Sequence, residues 1–324
     1  MKKLISLTLA AAMTMSLLAG CGSNSSAGTD SADASAETFK IGGIGPITGA
    51  GAVYGIAVKN GAELAIKEIN EAGGINGYQI EYNFQDDELD NEKSVNAYNT
   101  LKDWGMNMLV GSVTSGCCVA VAAESKNDNM FQITPSGSSV DCIEGNDNVF
   151  QVCFTDPNQG VGAADYIGEN NLASKVAVIY DSSDVYSSGI YAKFKEEAAA
   201  QNFEIVSEEA FTADNKTDFS VQLAKAQEAG AELVFLPIYY TEASLILKQA
   251  DSMGDAPKFF GCDGLDGILG VENFDTSLAE GVMLLTPFAA DAQDDLTKKF
   301  VSAYETVYND TPNQFAADAY DAVY

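Results

Sequence analysis

The 324-residue sequence has no histidine and no arginine; all 17 of its cationic side chains are lysines, against 47 aspartates and glutamates, for a net charge of −30. A nucleic-acid partner is excluded, because phosphate neutralisation needs a cationic face that so acidic a chain does not offer. Acyl transfer by a Ser/His or Cys/His pair needs an imidazole, and zinc sites usually take imidazole or several paired cysteines. The reading therefore expects no enzyme, no metal and no cofactor. Bidentate guanidinium clamps on carboxylate or phosphate are also impossible. Any bound anion must be held by backbone N–H groups, hydroxyls or lysine. Beyond residue 21 no run approaches the roughly 20 apolar residues of a membrane span.

What is present describes a folded body. The chain is 46% hydrophobic, with 29 glycines and only 7 prolines, which suits a packed protein and excludes a disordered or collagen-like one. At roughly 150 residues per domain, the length implies two domains.

The N-terminus is an address. Lys2 and Lys3 precede an apolar run over 4–18 that closes on Leu17-Leu18-Ala19-Gly20-Cys21. A positive start, a short apolar core and small residues before the cut make a secretory signal over 1–20. The LLAGC ending resembles a bacterial lipobox, which implies lipidation of Cys21. Residues 22–37 carry no large apolar side chain, so they cannot bury enough surface to order themselves and read as a tether over 21–37. The body starts near Thr38, outside the cytoplasm and lipid-anchored to the cell membrane. Export permits disulfides. Of Cys117, Cys118, Cys142, Cys153 and Cys262 at least one must stay free, and a pair of Cys142 with Cys117 or Cys118 is the bridge the segment order suggests.

Short apolar runs alternate with helical patterns along the body. Strands are expected over 39–44, 78–84, 108–110, 131–134, 176–180, 204–206, 233–236 and 259–260, with helices between them. The first helix sets Val58, Ala62, Ala65 and Ile69 on one face and stops at Gly73 and Gly74. This order implies an α/β fold with parallel sheets and right-handed crossovers. In such sheets the ligand crevice lies beyond the carboxyl ends of the strands.

The loops there carry the candidates. Gly111-Ser112-Val113-Thr114-Ser115-Gly116 leads into a helix whose free N–H groups make an anion site, with Ser115 acting either as a ligand group or as a helix cap. Pro135-Ser136-Gly137-Ser138-Ser139 is a second hydroxyl-rich loop after a neighbouring strand. In the second half, Tyr186 and Tyr239 follow strands and can wall an apolar pocket. Asp263, between Cys262 and Gly264, can accept from an ammonium group or serve only its turn.

With these residues in place, the sequence resembles the leucine/isoleucine/valine-binding protein family, the type I periplasmic solute-binding proteins of ABC importers. The likeness runs through KIGGIGPITGAGAVYG at 40–55, GAELAIKEINEAGGINGYQI at 61–80, ITPSGSS at 133–139, YDSSDVY at 180–186 and DFSVQLAKAQEAGAELVF at 218–235. It implies the type I periplasmic-binding-protein fold, two doubly wound parallel-sheet lobes joined by hinge crossovers. Lobe 1 would take 38–154, lobe 2 155–281, and 282–324 would return to lobe 1. The resemblance implies a monomeric clamshell that closes on an amino acid, most simply Leu, Ile or Val, and delivers it to a membrane permease. Ser115, Ser136, Gly137 and Ser138 would hold the carboxylate, with the carbonyl of Ser136 also serving the ammonium. Tyr54, Val113, Tyr186 and Tyr239 would line the site, and Asp263 would meet the ammonium. Asp263 is shorter than the glutamate of some members, which shifts the amino acid or admits a bridging water. The chain ends at Tyr324 within a helical run, so the resemblance sets the last helix and a third interlobe crossing beyond it.

Two alternatives differ in kind. One keeps the clamshell but binds an amide, a urea derivative or an aromatic acid, or acts as a ligand sensor. The other is an enzyme using Asp181, Asp184 or Asp263 as base, although no phosphate fingerprint, nucleophile elbow or paired base is found in the sequence.

Overall fold

The computed structural model describes residues 37–254 and 257–324. The signal segment, Cys21 and nearly all of the tether lie outside the described residues.

The first sheet is built from β1 (Phe39–Gly45), β2 (Ile80–Asp86), β3 (Met108–Gly111), β4 (Gln132–Thr134) and β5 (Val149–Gln151). Its order is β2-β1-β3-β4-β5, with every pairing parallel. Between the strands run α1 (Ala52–Glu71), α2 (Asn91–Trp104) and α3 (Ser115–Asp128). The second sheet holds β6 (Lys175–Asp181), β7 (Glu204–Phe211), β8 (Leu233–Leu236), β9 (Lys258–Gly261) and β10 (Met283–Leu284). Its order, β10-β9-β8-β6-β7, repeats the winding of the first: the opening strand lies between the second and the third. Each sheet thus has a switch point where loops diverge, between β1 and β3 and between β6 and β8. The helices here are α4 (Asp156–Glu169), α5 (Val185–Ala198), α6 (Ser220–Glu228) and α7 (Tyr240–Met253).

Residue type explains the layering. All four residues of β8 are buried, as required of a central strand covered on both faces. The chain crosses between the sheets after β5 and again after β10. It then forms α8 (Asp295–Tyr308) and α9 (Gln314–Val323), and α9 packs along α1. Gly61 permits that approach, since a Cβ there would stand 2.0 Å from the Ala316 carbonyl oxygen. Tyr308 Oη donates to the Asn60 carbonyl (2.9 Å) and Tyr320 Oη to Glu68 (2.7 Å), which fixes the return.

Some boundaries differ from the sequence expectation. Met283 and Leu284 pair with Phe260 and Gly261, so the second sheet reaches past the division expected at 281/282. Strand β7 continues to Phe211 rather than ending at 206. Its extension is polar, and it is held by pairing with β6 and by ion pairs from Lys195 to Glu208 and Lys225 to Glu209 (both 2.7 Å), which apolar patterning does not reveal. The cysteine bridge expected from Cys142 is not formed: the five described cysteines are free and buried.

Candidate ligand-binding site

Loops from the carboxyl ends of both sheets meet at a narrow cavity. Tyr54, Val113, Ser115, Ser136, Ser138, Tyr186, Tyr239 and Asp263 all line it, together with Thr114, Gly264 and Phe315.

One side is made of hydroxyls and amides. Thr114, in extended backbone, is the N-cap of α3 and makes no side-chain cap bond. The amides of Ser115, Gly116 and Cys117 therefore start the helix without intrahelical acceptors, at its positive dipole end. Ser115 does not cap its helix. Its Oγ accepts from the Ser138 and Ser139 amides, both at 3.1 Å, and so ties the two serine loops together. Ser136 Oγ donates to the Val113 carbonyl (2.7 Å). The buried hydroxyls of Thr114 and Ser138 have no hydrogen-bond partner among the described residues, so two donors remain for a ligand. Gly137 is not brought to the wall: its amide is spent on Thr134 Oγ1 (2.7 Å) and it lies against Cys118, below the loop. Ser115→Ala would orphan two buried amides at roughly 1–3 kcal/mol each. The expected result is a fall of about 2–6 kcal/mol in unfolding free energy by urea titration.

The opposite side is aromatic and acidic. Asp263, 2% exposed, begins a 3-10 turn after β9. Its Oδ1 accepts from Tyr186 Oη (2.7 Å), and its amide donates to Gln159 Oε1 (3.1 Å). Burial pushes its carboxyl up to about 6, opposed by the Tyr186 and Gln159 contacts. Among the described residues no lysine pairs with it. Gly264 donates to Tyr186 Oη (2.8 Å), and it must be glycine, because a Cβ would lie 2.6 Å from that oxygen. Tyr186 stacks on Tyr239 with centroids 4.9 Å apart and planes at 10°. Burial pushes the Tyr54 and Tyr186 phenols well up, so both remain protonated donors.

Tyr54 joins the two sides. From the first turn of α1 it donates to the Gly264 carbonyl and accepts from the Tyr240 amide (3.1 Å). Nearby, the Val53 amide donates to Tyr240 Oη (3.1 Å) and Thr241 Oγ1 to the Ala50 carbonyl (2.7 Å). The lobes are thus bonded across the cavity mouth in a closed arrangement.

Several site residues escaped the sequence reading. Phe315 closes the wall from the returning α9 and packs on Tyr54 at 4.7 Å. Asp156 (1% exposed) and Asp318 (9%) are buried close enough to Asp263 for mutual repulsion. Burial, then Asp263, lifts Asp318 to about 8; burial lifts Asp156 too, and Ser138 Oγ approaches it without completing a bond. The Thr155-Asp156-Pro157 step is a helix-start signal that could have drawn attention to Asp156. Phe315 carries no local signal. Asp181 and Asp184 line a wider cleft that shares Thr114 and Tyr239 with the cavity. Asp184 is lifted to about 6 by burial and by Asp181.

Among the described residues, the cavity offers hydroxyl and amide donors for an anion on one wall and, on the other, a buried carboxyl with no cationic partner. That is the shape of a zwitterion site.

Comparison with known proteins agrees. Residues 38–324 match the periplasmic binding protein family. The leucine-, isoleucine-, valine-, threonine- and alanine-binding protein of Pseudomonas aeruginosa is 30% identical over 298 residues, covering 92% of this chain and 79% of that protein. Among solved structures, the branched-chain amino acid transporter substrate-binding protein LivJ of Streptococcus pneumoniae, in complex with isoleucine, superposes with a TM-score of 0.80. It is 32% identical, over 89% of this chain and 82% of that one. The leucine-binding protein LivK of Thermotoga maritima gives a TM-score of 0.79 at 26% identity, over 88% and 80%. With a family match that spans the body and a doubly wound two-lobed fold shared with these structures, the chain belongs to the periplasmic binding protein family, in its type I form.

Proposed function

We propose that this protein captures a branched-chain amino acid outside the cytoplasm and delivers it to the permease of an ABC transporter. The observation that carries the reading is the cavity itself, where unspent hydroxyls and helix-start amides face a buried carboxyl with no cationic partner. The α-carboxylate would take Thr114, Ser115 and Ser138 and the first amides of α3. The ammonium would sit on Asp263 and the Ser136 carbonyl, and the side chain among Val113, Tyr54, Tyr186 and Tyr239. The names of the relatives support this ligand class. Because the two charged ends contact different lobes, the ligand stabilises the closed state by bridging it. The same reading takes Cys21 as a lipid anchor behind a cleaved signal and the chain as a monomer, with 38–154 in lobe 1, 155–281 together with β10 in lobe 2, and the remainder up to 324 returned to lobe 1.

An aromatic acid or amide without an amine would leave Asp263 unpaired, which disfavours that alternative. A thermal-shift screen of the twenty amino acids with benzoate and urea distinguishes them. Leucine, isoleucine and valine should raise the melting temperature, in line with the roughly 2.7 kcal/mol gained at a hundredfold excess over Kd. Stabilisation by benzoate or urea with none by any amino acid would overturn the proposal.

A further inference from the structure

Two helices start face to face across the cleft, and neither has a cap of its own. Helix α1, in the lobe of the first sheet, is preceded by Gly51, which has no side chain; α7, in the lobe of the second, is preceded by Tyr239, whose side chain makes no cap bond. A helix leaves its first amides without intrahelical acceptors, and a side chain just before the helix commonly accepts from one of them. Here the acceptors come from the opposite lobe. The Val53 amide, second in α1, donates to Tyr240 Oη (3.1 Å), and the Tyr240 amide, first in α7, donates to Tyr54 Oη (3.1 Å). Each helix start thus supplies the phenol that caps the other. The two rings meet edge to face with centroids 4.6 Å apart. Thr241 Oγ1 adds a flanking bond to the Ala50 carbonyl (2.7 Å). Val53 seats so closely on the second lobe that a Cβ at Gly267 would stand 2.7 Å from its Cγ1. Tyr240 is 3% exposed and lies outside the wall of the ligand cavity.

We propose, on the reading of the protein as a two-lobed capture device, that Tyr240 is a positioning residue for the ligand: without touching it, Tyr240 holds the lobes closed over it by reciprocal helix capping with Tyr54. Each cap exists only while the lobes are together; when they part, both amides turn to water. Tyr54 Oη is engaged on both sides, because it accepts from the Tyr240 amide and donates to the Gly264 carbonyl. The Gly264 amide in turn donates to Tyr186 Oη, which donates to Asp263. The caps therefore continue through Gly264 as a run of hydrogen bonds to the carboxyl that faces the ligand. Opening has to break the caps together with the ligand's own contacts, so Tyr240 acts on release more than on association.

The test is Tyr240→Phe, which keeps the ring against Tyr54 and the α7 amide in place and removes a single oxygen. Leucine binding is followed by stopped flow, and hydrogen exchange at the Val53 amide is measured by NMR with and without leucine. The variant should release leucine about tenfold faster, because the Val53 amide is left without its acceptor in the closed form. Association should stay within about twofold of the unaltered protein. Exchange at Val53 should quicken about tenfold as well. That amide lies across the cleft from the substitution, and a tyrosine that only packed the start of α7 would leave it unmoved. An unchanged release rate, a loss of affinity carried by slower association, or equal Val53 exchange in the two proteins would each overturn the proposal. If the unaltered protein bound none of leucine, isoleucine and valine, the functional reading would fail instead, and the exchange measured without ligand would still decide the capping: faster in the variant supports it, equal overturns it.

Discussion

Replacing Asp263 with Asn should weaken leucine binding about a hundredfold or more and leave the empty protein at least as stable as before. Removing one partner of a desolvated, hydrogen-bonded charge pair typically costs 2–5 kcal/mol in binding, and each 1.4 kcal/mol is tenfold in Kd. The variant keeps the shape of the side chain, and an amide oxygen can still accept from Tyr186 Oη. What it loses is the charge. In the empty protein that charge is a burden: it is buried, lacks a cation, and is lifted to about 6 by its desolvation. At pH 7.5 holding it ionised costs about 3 kcal/mol relative to the unfolded chain, and the variant is relieved of this. Isothermal titration with leucine and urea unfolding of the empty protein read the two effects separately. Loss of binding accompanied by loss of stability would indicate a structural role for Asp263. Unchanged leucine affinity would remove the ammonium from this position altogether.

The reach of the sequence can be judged residue by residue. Strand and helix alternation was legible because buried strands such as Leu233–Leu236 are uninterrupted apolar runs. The meeting of the two serine loops was legible because both follow strands that become neighbours. What Ser115 does there was not legible. Whether its oxygen caps its own helix or receives the amides of residues 138 and 139 depends on a contact spanning more than twenty residues. Asp156 and Asp318 read as ordinary surface acids in a chain with 47 acidic residues. Only the return of α9 onto α1 buries Asp318 and brings Phe315 to the cavity. Gly137 shows the converse, since a glycine between two site serines looked like a ligand amide, yet its N–H closes a turn on Thr134.

The buried acids also set a pH dependence with opposite signs for stability and binding. Asp87, Asp184 and Asp263 are lifted to about 6 and Asp318 to about 8, in each case chiefly by burial, and Asp156 is lifted as well. A carboxyl whose folded value lies above its unfolded value of about 3.9 holds its proton more readily in the folded chain. Its stabilising contribution is complete below that unfolded value and is lost as pH rises through the folded one. The empty protein should therefore melt several degrees higher at pH 5.5 than at pH 8. Easing of the net charge acts in the same direction, but the two causes separate at Asp318. Asp318 is placed to titrate near 8, so Asp318→Asn should flatten part of the decline between pH 7 and 8.5, whereas general repulsion would leave it in place. Leucine binding should run the other way. An ammonium needs Asp263 ionised, so affinity should fall as pH drops below about 6, approaching tenfold per unit for one linked proton. At pH 6 complex formation should release protons, detected as a dependence of the calorimetric heat on the ionisation enthalpy of the buffer. An affinity that stays flat from pH 7.5 to 5 would mean that no buried carboxyl changes its ionisation on binding, and the zwitterion site would then need a different cationic end.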